Sequence, residues 1–207
     1  MDVIGSEVRG CRLCRLCETR TTGVPGEGDP NAEIMFIGEG PGFHEDQQGR
    51  PFVGAAGQLL VEMLKLIGLR RDEVFITNVV RCRPPGNRDP QPEELAACDT
   101  YTQRQIAVLD PKLIVTLGRY SMARFFGPGS MRDLHGRSKD WNGTTCLAMY
   151  HPAAILRTPT VEMRRVYAED FRKIPLLLAE ASKKRAALLA TAATSSSVTQ
   201  LDQLPLF

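Results

Sequence analysis

Apolar positions along the chain fall into short continuous runs that alternate with longer segments of helical period. Ile34–Gly38 (IMFIG) is such a run and predicts a buried strand. Ala55–Ile67 (AAGQLLVEMLKLI) carries apolar residues at helical spacing and stops at Gly68. Val74–Val80 (VFITNVV) is rich in β-formers. Pro92–Leu109 opens with Pro and acids, which suit the first turn of a helix. Lys112–Leu117 (KLIVTL) predicts a third strand, Arg119–Phe126 a short helix and Thr145–Tyr150 (TCLAMY) a fourth strand. Val161–Leu189 reads as mostly helical. Strands alternating with helices predict an α/β fold with a mainly parallel four-stranded sheet and helices on both faces. From about Ala190 the sequence turns small and polar (TAATSSSVTQLDQ), too poor in apolar surface to order itself. Residues 1–189 are therefore expected to form the folded domain and 190–207 a flexible tail, which turns apolar again at QLPLF. No internal repeat is visible.

Composition narrows the class. The chain has 207 residues, 43% of them hydrophobic and 24% charged, which is globular. No apolar run reaches the ~18 residues of a membrane span, and MDVIGSEVRGCRLC has no signal-peptide core. A cytoplasmic, monomeric protein without a membrane partner is expected. The net charge of +2 makes no gross electrostatic claim on nucleic acid. The kind of cation is more informative: 20 of the 26 basic residues are Arg, whose planar fork matches phosphates and base edges.

Candidate chemistry gathers after the strands, where open α/β sheets bind ligands. The stretch GEGPGFHEDQQGRPFVG, Gly38 to Gly54, packs glycines, acids and two phenylalanines behind the first strand. Thr77-Asn78 ends the second strand and leads into VVRCRPPGNR. His151-Pro152 follows the fourth and leads into AAILR. Glycines let backbone N–H groups approach a bound ring. The Asn78 amide offers donor and acceptor together, Phe52 a stacking face, and His151 a donor for an oxygen that gains negative charge. Together they describe a pocket for a flat, polar heterocycle.

Cysteines form a second pattern. Cys11, Cys14 and Cys17 make a C-x2-C-x2-C run, Cys82 follows the second strand, and Cys98 lies further on. Cys146 falls inside a predicted strand and reads as a small buried hydrophobe. In a cytoplasmic chain these are not a disulfide framework. Four thiolates from two separated pairs suit Zn²⁺ or an iron–sulfur cluster. Spacing chooses neither the metal nor which two of the three N-terminal cysteines take part.

Taken jointly, GEGPGFHEDQQGRPFVGAAGQLL, TNVVRCRPPGNR and YHPAAILR resemble the motifs of the family 4, iron–sulfur type uracil-DNA glycosylases of bacteria and archaea. The resemblance runs from about Cys11 to about Arg172. It implies an α/β/α sandwich around a parallel sheet, and a [4Fe–4S] cluster held by Cys11, Cys14, Cys82 and Cys98, with Cys17 extra. It implies a uracil pocket in which Gly38, Glu39 and Gly40 present backbone groups, Phe52 stacks on the base, Asn78 reads its Watson–Crick edge and His151 lies over O2. By the same match, Glu45 crowds C5 and so excludes thymine. His44 departs from the residue expected beside it. A related family places a water-activating Asp where Gly40 stands, so Glu39 and Asn87 are the candidates for positioning water. The loop after His151 supplies Ile155 and Leu156 to fill the space of a flipped nucleotide, and Arg157 to meet a phosphate. The implied activity is hydrolysis of uracil from single- or double-stranded DNA, leaving an abasic site without strand cleavage. The alternatives are a non-catalytic iron–sulfur nucleic-acid-binding module and a relative that excises other deaminated bases. Gln203, Leu204, Leu206 and Phe207 of the terminal QLPLF resemble the short peptides by which bacterial repair proteins dock on the sliding clamp.

Overall fold

A computed structural model describes residues 1–201 of the chain. In chain order its elements are α1 (Asp2–Gly10), α2 (Leu16–Thr19), β1 (Glu27–Gly28), β2 (Ile34–Gly38), α3 (Phe43–Gln48), α4 (Ala55–Leu66), β3 (Phe75–Asn78), α5 (Pro92–Leu109), β4 (Leu113–Leu117), α6 (Arg119–Phe126), α7 (Met131–Leu134), β5 (Ser138–Trp141), β6 (Thr144–Met149), α8 (Pro152–Arg157) and α9 (Val161–Leu201). The sheet has the order β1-β3-β2-β4-β6-β5. Its middle four strands are parallel and are the four that the apolar runs predict. The sheet is nevertheless six-stranded, because β1 and β5 add antiparallel edges. Neither edge has an apolar run: β1 is Glu-Gly, and β5 is Ser-Lys-Asp-Trp with its first three residues exposed. Short, polar edge strands resist pairing with another chain, and for the same reason they leave no hydrophobic signal.

All five residues of β2 are buried, as are all of β3 and β4, because helices cover both faces. The pleat divides them between two cores. Phe36, Val115 and Leu147 pack with Leu60 and Leu64 of α4 and with Tyr167, Phe171 and Ile174 of α9. Met35, Ile37, Ile114 and Cys146 face the other way, onto Ile106 and Leu109 of α5 and Phe125 of α6. The result is the three-layer α/β/α sandwich. Cys146 is a fully buried core residue, and burial pushes its thiol up to about 12.

Helix α9 runs to Leu201 and so overlaps the segment that composition assigns to a flexible tail. The QLPLF peptide, with Gln203, Leu204, Leu206 and Phe207, lies outside the described residues. Among the described residues, no helix is long and apolar enough to cross a membrane.

Parallel pairing places the carboxyl ends of the middle strands along one edge. Gly38 is level with Asn78, and Leu117 with Met149. The chain leaves these ends as Glu39-Gly40, Val79-Val80, Gly118-Arg119 and Tyr150-His151, and all four exits border one cleft.

Candidate active site and cysteine centre

The cleft encloses about 700 Å³. Its floor is built by close approaches that only certain residues permit. A Cβ on Gly38 would stand 2.4 Å from the Asn78 Oδ1 and 2.5 Å from the Phe52 ring, so glycine there is what lets the two functional side chains meet the strand end. Asn78 is 1% exposed, and its Oδ1 has no hydrogen-bond partner. A buried amide oxygen left unpaired is costly and rare, and here it opens onto the cleft.

Phe52 has a left-handed backbone, φ 50°, which a bulky residue adopts only under constraint. Several groups hold it there. Arg71 donates from Nη1 to the Phe52 carbonyl at 3.0 Å and from Nη2 to the Pro51 carbonyl. Gly57, in the first turn of α4, lets the Phe52 carbonyl approach so closely that a Cβ would lie 1.8 Å from it. Glu45 completes the clamp. Its Oε1 accepts from the Val53 and Gly54 N–H groups at 2.9 Å each, and its Oε2 accepts from Gly42 at 3.1 Å. The Glu45 carboxylate borders the cleft, and its bonds tie the loop before α3 to the loop that carries Phe52.

His151 caps α8, and its Nδ1 accepts the Ala153 N–H at 3.2 Å. An accepting Nδ1 places the proton of the neutral ring on Nε2. Burial, reinforced by Arg157, pushes the His151 pKa down to about 4, against the opposing charge of Glu45. At neutral pH the ring is therefore a neutral Nε2–H donor. Its centroid lies 5.6 Å from that of Phe52.

Glu39 and Asn87 also border the cleft. Burial raises the Glu39 pKa, as does Asp89, while Arg119 and Arg157 oppose the shift. The Asn87 Oδ1 accepts from the Arg83 Nε at 2.7 Å. Gly40 and Arg157 line the same space. His44 packs edge-on against Phe43. Ile155 is placed differently from the expectation. It is 1% exposed and belongs to the core with Phe52 and Leu60, because the helical period of α8 turns it inward. It is therefore not presented to a duplex. Leu156 packs partly against the same core, and Ala153, Ala154 and Arg157 face the cleft.

Sequence reading missed the fourth strand exit. Gly118 and Arg119, after β4, line the cleft, and Arg119 pairs with Asp89, which lines it too. A glycine between an apolar run and a helix was the available signal.

The cysteines occupy the neighbouring region. Cys82 and Cys98 are buried with Leu16 and Val80, and Cys14 packs against them. Cys11 packs instead against Ile4, Val8 and Tyr101. Arg20 links the two groups: Nη1 donates to the Cys82 Sγ at 2.9 Å, and Nη2 donates to the Arg9 and Cys11 carbonyls at 2.8 and 2.9 Å. Burial pushes the Cys82 thiol up to about 11 against this bond. Among the described residues, no three His, Cys, Asp or Glu side chains converge into a finished metal cage. The fit to a thiolate-bound group therefore rests on the soft donor set and its Arg20 partner. Val80 joins the two sites. It packs beside Cys82, lines the cleft, and donates its N–H to the Glu39 carbonyl at 3.1 Å.

Comparison with known proteins agrees with this geometry. Residues 25–173 match the uracil DNA glycosylase superfamily. The chain is 50% identical over 184 residues to the type-4 uracil-DNA glycosylase of Sulfurisphaera tokodaii, with 84% of this chain and 83% of that protein covered. It is 45% identical to the type-4 enzyme of Archaeoglobus fulgidus, covering 84% and 91% respectively. It is 44% identical to that of Thermotoga maritima, covering 84% and 92%. With its strand exits, buried amide and capping histidine arranged as described, the chain belongs to the type-4 uracil-DNA glycosylases of the uracil DNA glycosylase superfamily.

Proposed function

We infer that the protein is a DNA repair enzyme that releases uracil from DNA by hydrolysing the N-glycosidic bond. The observation that carries this reading is the unpaired, buried Asn78 amide beneath the Gly38–Phe52 approach. An amide oxygen accepts from uracil N3–H, and its NH₂ donates to O4.

The scissile bond is out of reach inside a duplex, so the nucleotide swings out into the cleft. Phe52 covers one face of the base. The Glu45-clamped loop walls the side where thymine carries its methyl group. As the N1–C1′ bond breaks, both electrons leave with uracil and the sugar becomes oxocarbenium-like. The His151 Nε2–H donates to the uracil O2 as negative charge gathers there. Water then bonds to C1′ and gives up a proton. Glu39, with its raised proton affinity, accepts it, and Asn87 helps to hold the water. Among the described residues no lysine lines the cleft, so hydrolysis ends at the abasic site. Arg157 meets a backbone phosphate at the mouth. A cytoplasmic, monomeric enzyme is part of the same proposal.

Free uracil released from uracil-containing single- and double-stranded oligonucleotides, with alkali-labile abasic sites left behind, is the expected result. Binding without uracil release leaves only a docking module.

Cys11, Cys14, Cys82 and Cys98 would hold a [4Fe–4S] cluster, which ties the N-terminal segment to the loop after β3 and takes no redox step in base excision. Iron and sulfide near four each per chain are expected. Cys98→Ser loses them and Cys17→Ser keeps them; iron loss from the Cys17 variant moves the ligand set. In the terminal peptide, Leu204, Leu206 and Phe207 fill an apolar groove of the sliding clamp while Gln203 bonds at its edge. Deleting Gln203–Phe207 abolishes clamp capture and leaves oligonucleotide excision intact. Clamp capture by the truncated chain refutes the docking.

A further inference from the structure

Arg81 is among the largest fully buried side chains of the protein, at 1% exposure. Its Nη2 is satisfied by the Thr102 Oγ1 at 3.1 Å and the Gln105 Oε1 at 2.7 Å, both on α5. Its Nε and Nη1 have no partner. The Gln105 amide in turn donates to the Pro25 carbonyl at 2.7 Å, so the guanidinium is braced from behind. Thr102 and Gln105 are neutral. Arg81 directly precedes Cys82, and its partner Thr102 stands one turn of α5 beyond Cys98, which packs with Cys82. Asp99, beside Cys98, is already paired with Arg124, and among the described residues Arg81 forms no ion pair. Arg20, which bonds the Cys82 sulfur, has both terminal nitrogens engaged by Val8, Arg9, Cys11 and Cys82. Arg81 alone combines a buried charge, two spare N–H donors and a braced position beside the thiols.

A buried cation with unused donors is strongly unfavourable unless an anion faces it. We propose that Arg81 is the built-in counter-ion of the cysteine-held cluster, donating to its sulfur atoms and stabilising its more reduced form. This rests on the cluster reading given above. A thiolate-ligated cluster is anionic and becomes more so by one charge when it takes up an electron, so a fixed positive charge beside it favours the reduced side of the couple. Hydrogen bonds and charge next to the sulfurs are established controls on such potentials.

The test uses the full-length, cluster-loaded protein with Arg81→Met and Arg81→Lys, prepared without oxygen. Midpoint potential is read by electrode titration, and iron loss is followed under a chelator. Arg81→Met is expected to move the couple to lower potential, and Arg81→Lys, which keeps the charge, to hold it near that of the parent. Lys lacks the planar fork, so its cluster is expected to lose iron faster than the parent. A Met variant with the parent's potential overturns the counter-ion role. If the Met variant does not fold, Arg81→Gln, which keeps N–H donors but removes the charge, decides: a lower midpoint potential supports the counter-ion role, and the parental potential overturns it. A parent chain that takes up no iron and sulfide on reconstitution instead sinks the cluster reading itself, which is a separate outcome.

Discussion

Asn78→Asp slows uracil excision by about 10²–10⁴-fold, and the residual activity shifts toward cytosine. The carboxylate keeps the shape of the amide but removes its NH₂ donor, so the uracil O4 faces an acceptor. Each mismatched contact in so buried a place is worth roughly 1–3 kcal/mol, and more where a charge is involved. The one contact reversed here carries the charge of the carboxylate, and that sets the range. Cytosine presents an amino donor where uracil has O4, and the carboxylate accepts from it. Single-turnover excision from matched uracil and cytosine oligonucleotides measures both effects. Uracil release by Asn78→Asp at the parental rate would remove Asn78 from base reading. The backbone should tolerate the change, because Asn78 sits at the end of β3 with Gly38 opposite and makes no side-chain bond that the fold needs.

His151→Ala lowers the single-turnover rate by roughly 10²–10³-fold, the usual effect of losing one donor to a developing anion, while DNA affinity changes little. Parallel losses of rate and affinity would instead mark His151 as a structural cap. The pH dependence separates the two further. With the folded-state pKa pushed from its ordinary 6.5 to about 4, the ring stays neutral as pH falls from 7 to 5. No limb near 6.5 is therefore expected from His151, and burial of Glu39 predicts an acid limb above the ordinary carboxylate range. The same shift has a consequence for stability. Above pH 6.5 the histidine is neutral both folded and unfolded. Between 6.5 and 4 the unfolded chain takes up a proton that the folded chain refuses, so stability falls across that window. His151→Gln removes this term, and its Tm should drop less than the parental Tm between pH 7.5 and 5. An equal drop in the two proteins would show that His151 is not held neutral by the fold.

Much of the architecture was readable along the chain, for a physical reason. A strand covered by helices on both faces must be apolar throughout, and Ile34–Gly38 and Lys112–Leu117 show that in their residue types alone. Helices that bury one stripe repeat it every three to four residues, which located α4, while Pro92 and the acids after it marked the start of α5. The Gly-rich exit at Gly38, the amide at Asn78 and the histidine before Pro152 were visible because their chemistry is unusual at strand ends. Tertiary structure decided the rest. The edge strands β1 and β5 exist by pairing with β3 and β6, not by any hydrophobic demand of their own. Ile155 has the composition of a wedge, yet the rotation of α8 spends it on the core. Glu45 reads as a pocket carboxylate, but three backbone N–H groups, brought together only by folding, make it the clamp on Phe52. Arg71 and Gly57 carry no signature at all, because their work is to hold a neighbour's backbone. Residue type and period are local properties and can be read from the order of the chain. Which buried group is left without a partner, as at Asn78 and Arg81, depends on everything packed around it, and that is settled in three dimensions.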